Sequence, residues 1–260
     1  MKKFKIRCSA INKIGITSLT EKQYERLEIL TNKDGLTEKQ QTELHGLRHR
    51  LRNPKLTTGS KTYCKNWLKE QKEVFNRAKI IKSKYINKGN ITEDNSIDFI
   101  AEQLGFGMLL KNEKHFSNDF IEGTPDIITK DLVIDAKNSW DHDTFPLFED
   151  EIPEKDYSSQ LQGYMCLTGR KKSKLAYVLS DTPINLIEKE AYYWCKDNGF
   201  DDLDVDIYKQ FIRKMTYSDV PDHLKIKVFD LDYDQSYIDQ VEKAVKLCRI
   251  YIKELIKKHL

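Results

Sequence analysis

Asp135 and Lys137 interrupt a run that otherwise reads as an interior strand, Leu132-Val133-Ile134-Asp135-Ala136-Lys137. Charges beside β-branched residues in such a strand are costly unless they are paired or coordinated, so the fold must build something around them. The two-residue period of a strand puts Asp135 and Lys137 on one face and Ala136 on the other. Upstream, Gly123-Thr124-Pro125-Asp126 leads into a second short apolar run, Ile127-Ile128. Lys130-Asp131 between the runs is short and polar enough for a tight turn, which predicts antiparallel neighbours with Asp126 and Asp135 at the same end of the hairpin. Downstream, Gln160 and Tyr164 are four residues apart and share one helix face. A carboxylate pair can hold a hard divalent cation, and an adjacent ammonium can orient the attacking water. These are the parts that metal-dependent phosphodiester hydrolysis requires.

Each residue also has a plainer explanation. Asp126 after Pro125 suits a turn, and an Asp135–Lys137 ion pair needs no metal. Glu93 reads as the first-turn acid of a helix opened by Thr92-Glu93-Asp94, where it could complete the metal shell or simply complement the helix dipole. The backbone carbonyl of Ala136 is a further candidate oxygen ligand. Gln160 and Tyr164 could be a cap and a core residue, but their place after an acid-x-Lys strand suits a pair that fixes the lysine, a water or a substrate phosphate. His45, His49, His115 and His142 show no repeated metal-ligand spacing, and His142 lies in the loop after the acid-bearing strand.

The order of elements predicts an α/β fold in which one mixed central sheet is flanked by helices and preceded by a helical arm. Thr20-Glu-Lys-Gln23 and Thr37-Glu-Lys-Gln40 are near-identical capping boxes that open a helical hairpin across Asn32-Lys-Asp-Gly35. A third helix is expected over residues 61–81, striped by Tyr63, Trp67, Val74 and Ala78. Lys88-Gly89-Asn90 is expected to break the chain. Residues 1–87 thus read as a basic, mainly helical region and 88–260 as the core. Helices are expected near 157–167, 185–196, 202–217 and 233–260, the last turning Ile238, Val241, Val245, Ile250 and Leu255 inward, with strands at 174–180 and 224–232.

Charge supports a polyanionic partner. Residues 1–90 carry 22 Lys/Arg against 8 Asp/Glu, whereas the remainder carries 22 against 33. A basic part to meet phosphate and an acidic part to hold a cation suit DNA, although a solvated Lys-rich surface gives the same numbers. Cys8, Cys64, Cys166, Cys195 and Cys248 are scattered, which suits a reducing compartment and argues against a disulfide scaffold or structural zinc. No apolar run approaches the roughly 20 residues of a membrane span, and the basic start lacks a signal-peptide core. The expected location is the cytoplasm of a bacterial or phage-infected cell.

Gly-x-x-Asp, Asp-x-Lys and Gln-x-x-x-Tyr together resemble the PD-(D/E)xK nuclease superfamily, in the branch of RecB nuclease domains, Cas4-type proteins and phage exonucleases of the YqaJ and lambda type. The resemblance implies a restriction-endonuclease-like core in which Asp126 and Asp135 bind metal and Lys137 is the catalytic lysine. It places Gln160 and Tyr164 on the branch's extra motif and Glu93 on its first acidic motif. Ser9, in Ile6-Arg-Cys-Ser-Ala10, resembles a DNA-contacting serine of YqaJ-like enzymes. Asp135 stands where glutamate is commoner, and the scattered cysteines speak against the iron–sulfur cluster of Cas4-type proteins. The implied activity is a Mg²⁺-dependent DNA exonuclease, with Mn²⁺ as substitute, acting 5′ to 3′ on double-stranded DNA in phage-type recombination or DNA processing. A trimeric ring and a single-strand annealing protein as partner follow by similarity alone. The alternatives are a structure-selective or restriction-type endonuclease and a non-catalytic DNA-binding protein on the same fold.

Overall fold

The computed structural model describes residues 1–17, 19–77 and 83–260, and groups them into two compact units, Met1–Lys79 with Gln235–Leu260, and Ile80–Asp234. Residues 83–87 fall in the larger unit and the closing helix falls in the N-terminal one.

The first unit contains short strands β1 (Ile6–Arg7), β2 (Ile16–Thr17) and β3 (Lys55–Leu56) and helices α1 (Glu21–Thr31), α2 (Glu38–Arg52) and α3 (Thr58–Glu70). Thr20 and Thr37 form the two expected capping boxes with Gln23 and Gln40, and the α1–α2 hairpin closes over Leu30, Leu44 and Leu47. α3 ends at Glu70, where Gln71 turns extended and its side-chain amide donates to the Trp67 carbonyl at 2.7 Å; residues 78–81 of the longer expected helix lie outside the described residues.

The second unit holds α4 (Lys84–Gln103), β4 (Phe116–Ser117), β5 (Ile121–Gly123), β6 (Ile127–Ile128), β7 (Leu132–Asn138), α5 (Lys155–Thr168), β8 (Lys172–Val178), α6 (Ile184–Asp197), α7 (Val205–Met215) and β9 (Ile226–Asp232). The final helix α8 (Gln235–His259) returns to the first unit, its inner stripe running through Ile238, Val241, Val245, Cys248 and Ile252. Ile250, expected inward, falls off this three-and-four spacing and is exposed.

The expected break at Lys88-Gly89-Asn90 does not occur. Ser83 caps α4, and the helix runs through Gly89. A helical glycine costs about 1 kcal/mol relative to alanine, and tertiary anchoring outweighs that here. Lys88 is fully buried and donates from Nζ to the carbonyls of Trp140 at 2.9 Å and Ser180 at 2.7 Å. Glu93 therefore sits in the middle of a helix, and a first-turn dipole no longer explains it.

A mixed four-stranded sheet, ordered β6-β7-β8-β9, is the frame of the unit. β6 and β9 are antiparallel to their neighbours, while β7 and β8 run parallel, joined through α5. Strand alternation splits the side chains between two cores. Ile127, Ile134, Ala176 and Val178 meet Ile97, Ile100 and Ala101 of α4 on one face. Leu175, Tyr177 and Phe229 meet Leu161 of α5 on the other. Gly169, at φ 72°, ends α5 in the left-handed conformation that side chains disfavour.

Candidate active site

The turn between β6 and β7 is closed by Thr129, whose hydroxyl accepts from the Leu132 amide at 3.0 Å and donates to its carbonyl at 3.1 Å. The register Ile127↔Ile134 and Ile128↔Val133, continued by one pair, sets Asp126 across from Asp135. Asp126 Oδ2 accepts the Ala136 amide at 3.0 Å, and the two carboxyls are near enough for Asp135 to disfavour the charge on Asp126. The hairpin thus does what the two apolar runs predicted.

Asp135 is fully buried. Its Oδ1 accepts the Gln160 amide at 3.0 Å, and its Oδ2 lies 2.5 Å from Lys137 Nζ without receiving a directed hydrogen bond. Gln160 Nε2 also reaches the Tyr164 hydroxyl at 2.9 Å, so α5 supplies both residues of the Gln-x-x-x-Tyr pair to the acid-bearing face. The ion pair weighed against metal binding is present, and it accounts for only one of the two acids. Burial, and then the nearby Asp135, push the Asp126 carboxyl up to about 8, against the opposing pull of Lys137 and the Ala136 amide. Burial works against the Lys137 charge, but Asp135 and Asp126 outweigh it and hold its pKa above the usual value. Lys137 is therefore an ammonium at neutral pH.

This arrangement fits a hard cation. Asp135 Oδ2 is a buried oxygen with no directed donor, and Asp126 keeps a proton where a second positive charge would let it ionise. The side-chain donors of the pair are oxygen alone, as Mg²⁺ and Mn²⁺ prefer. Among the described residues no three His, Cys, Asp or Glu side chains are grouped for metal binding, so Glu93 does not join the pair in this arrangement. Glu93 instead faces Lys111, Oε2 to Nζ 2.7 Å. His142 is exposed and lies 3.1 Å from Asp143. Ser9 is exposed on a short 3-10 helix, Cys8–Lys13, of the N-terminal unit.

Two residues at this site escaped the motif reading. The Tyr157 ring lies under Lys137 Nζ, 4.9 Å from its centroid. Residues 157, 160 and 164 share the helical spacing of three and seven, a signal present in the sequence. Lys111 had no such signal, because an isolated antiparallel bridge to Ile127 places it beside the acids.

No family model and no curated protein matches the chain. Among solved structures, a phage-related exonuclease from Haemophilus somnus 129PT aligns over 100% of this chain and 98% of its own, with TM-score 0.67 and 26% identity. The chain has the fold of an exonuclease. An alkaline exonuclease from Laribacter hongkongensis aligns over 98% of this chain and 90% of its own, with TM-score 0.56 and 11% identity. The same exonuclease in complex with dAMP matches with TM-score 0.52 and 12% identity over the same shares. The first of these likenesses supports a nuclease, and the other two share the fold. Among the described residues no helix is long and apolar enough to cross a membrane.

Proposed function

We propose that the protein is a divalent-metal-dependent DNA exonuclease that works 5′ to 3′ on duplex DNA in phage-type recombination or DNA processing, in the cytoplasm. The observation that carries this reading is the meeting of Asp126, Asp135 and Lys137, braced by Gln160 and Tyr164, on an exonuclease fold.

Asp126 and Asp135, with the Ala136 carbonyl and Glu93, would hold Mg²⁺ or Mn²⁺. The cation supplies polarisation of the phosphate and an acidified water. Asp135 keeps its orientation through the Gln160 amide. Lys137, charged and resting on the Tyr157 ring, orients the nucleophile and offsets charge that grows on the phosphoryl oxygens, rather than accepting a proton. Ser9 and the basic residues of the N-terminal unit contact phosphate, which serves any base sequence. A trimeric ring and a single-strand annealing partner belong to the same proposal, and light scattering with and without DNA reads the first.

Closed circular DNA and linear duplexes labelled at the 5′ or 3′ end, each with Mg²⁺, Mn²⁺, Ca²⁺ or EDTA, test the reading. Expected are intact circles and 5′-end release with Mg²⁺ or Mn²⁺ only. Nicked or linearised circles would make it an endonuclease. Salt-dependent binding without turnover in any metal would leave a DNA-binding protein.

A further inference from the structure

The lysine that faces Glu93 belongs to no motif, yet its main chain is stitched to the strand that bears Asp126. Lys111 bridges Ile127. Next to it, the Asn112 amide donates to the Asp126 carbonyl at 2.7 Å, and the Asn112 side chain donates to the Pro125 carbonyl at 2.8 Å. The backbone is thus held while the Lys111 side chain keeps 41% of its surface in solvent. Its ammonium lies 2.7 Å from Glu93 Oε2, and Asp94 and Asp126 add to the attraction. Lys111 therefore stands among acids that the metal reading needs for itself.

We propose that Lys111 is an exchange residue coupling DNA binding to metal binding. In the free protein its ammonium neutralises Glu93 and keeps that carboxylate from the cation. On the bound strand it moves to a phosphate oxygen, and Glu93 is released toward the cation at Asp126 and Asp135. Charge is conserved in the swap: the ammonium trades a carboxylate for a phosphate, and the carboxylate trades an ammonium for a metal ion. The flexible stem and compact charge of lysine suit such a move. By linkage, DNA and cation each tighten the other's binding. The inference rests on the nuclease reading and assigns this site an order of events.

The test uses the full chain and two readouts apart from turnover, Mn²⁺ affinity of the DNA-free protein and affinity for a duplex oligonucleotide in Ca²⁺ across a salt series. Lys111→Met should bind Mn²⁺ about two- to fivefold more tightly, the range set by an exposed ion pair. It should bind duplex more weakly, with the salt slope lowered by about one. Glu93→Gln should do the reverse, weakening Mn²⁺ and tightening duplex. Lys114→Met, which removes a nearby surface charge, should leave Mn²⁺ affinity unchanged. A Lys111→Met protein in which both affinities fall, or either stays the same, overturns the exchange. Asp126→Asn separates this from the parent reading: if it retains full Mn²⁺ affinity, the proposed metal site itself fails.

Discussion

Gln160 Nε2 stands 3.0 Å from Asp135 Oδ1 and 2.9 Å from the Tyr164 hydroxyl, so one amide group positions both a buried carboxylate and a buried phenol. The acid-bearing strand and α5 are locked together through this group. Replacing Gln160 with leucine strips Asp135 Oδ1 of its donor. Thermal unfolding should show a loss of about 1–3 kcal/mol, with cleavage reduced, while Tyr164→Phe should cost about 1 kcal/mol.

Lys137 and Asp126 should separate chemistry from binding. Lys137→Ala and Asp126→Asn are each expected to lower Mg²⁺-dependent cleavage at least about a hundredfold, with duplex affinity retained in Ca²⁺. Full cleavage by the purified double variant would end the assignment.

The raised Asp126 carboxyl makes a stability prediction. Its folded value near 8 exceeds the unfolded value of about 3.9, so the folded state binds more protons between them and loses stability as pH rises through that window. In EDTA the melting temperature should fall from pH 5 to pH 8. Asp126→Asn should flatten the slope, and Mg²⁺ should reduce it by favouring the ionised form. A slope unchanged in the variant would place the titration elsewhere.

Lys88 gives the opposite sign. Burial pushes its ammonium down to about 8, against the pull of Asp141 and Asp181. The unfolded chain then holds the extra proton between about pH 8 and 10.4, and this group's contribution favours the fold more as pH rises. Lys88→Met removes that dependence and takes the ammonium donor from the Ser180 and Trp140 carbonyls, the second of which keeps the Thr182 hydroxyl at 3.2 Å. A net loss of roughly 2 kcal/mol is expected from chemical denaturation at pH 7.

The acid pair, the lysine and the Gln/Tyr pair were legible because each is tied to a local period: two along β7, four along α5, and a short turn that fixes one register. The capping boxes were legible for the same reason. Gly89 misled because its cost is local, whereas the contacts that overrule it come from Trp140 and Ser180, 52 and 92 residues from Lys88. Lys111 was invisible because a single bridge to Ile127, with no spacing rule behind it, brings it to the site. Glu93 was found, but as a helix-opening acid, and its lysine counterpart was not.

β8 and β9 pair along their whole lengths, yet the chain between them detours through α6 and α7, which gather Trp140, Leu186, Ile187 and Met215 into a small core of their own. Neighbouring antiparallel strands need only a two-residue link, so the last strand must wait for a large loop to close before it is rewarded. Until then β8 presents a bare edge that invites intermolecular pairing. The detour makes the order in which this sheet is assembled, and its tendency to aggregate during refolding, depend on how fast a peripheral helical hairpin forms.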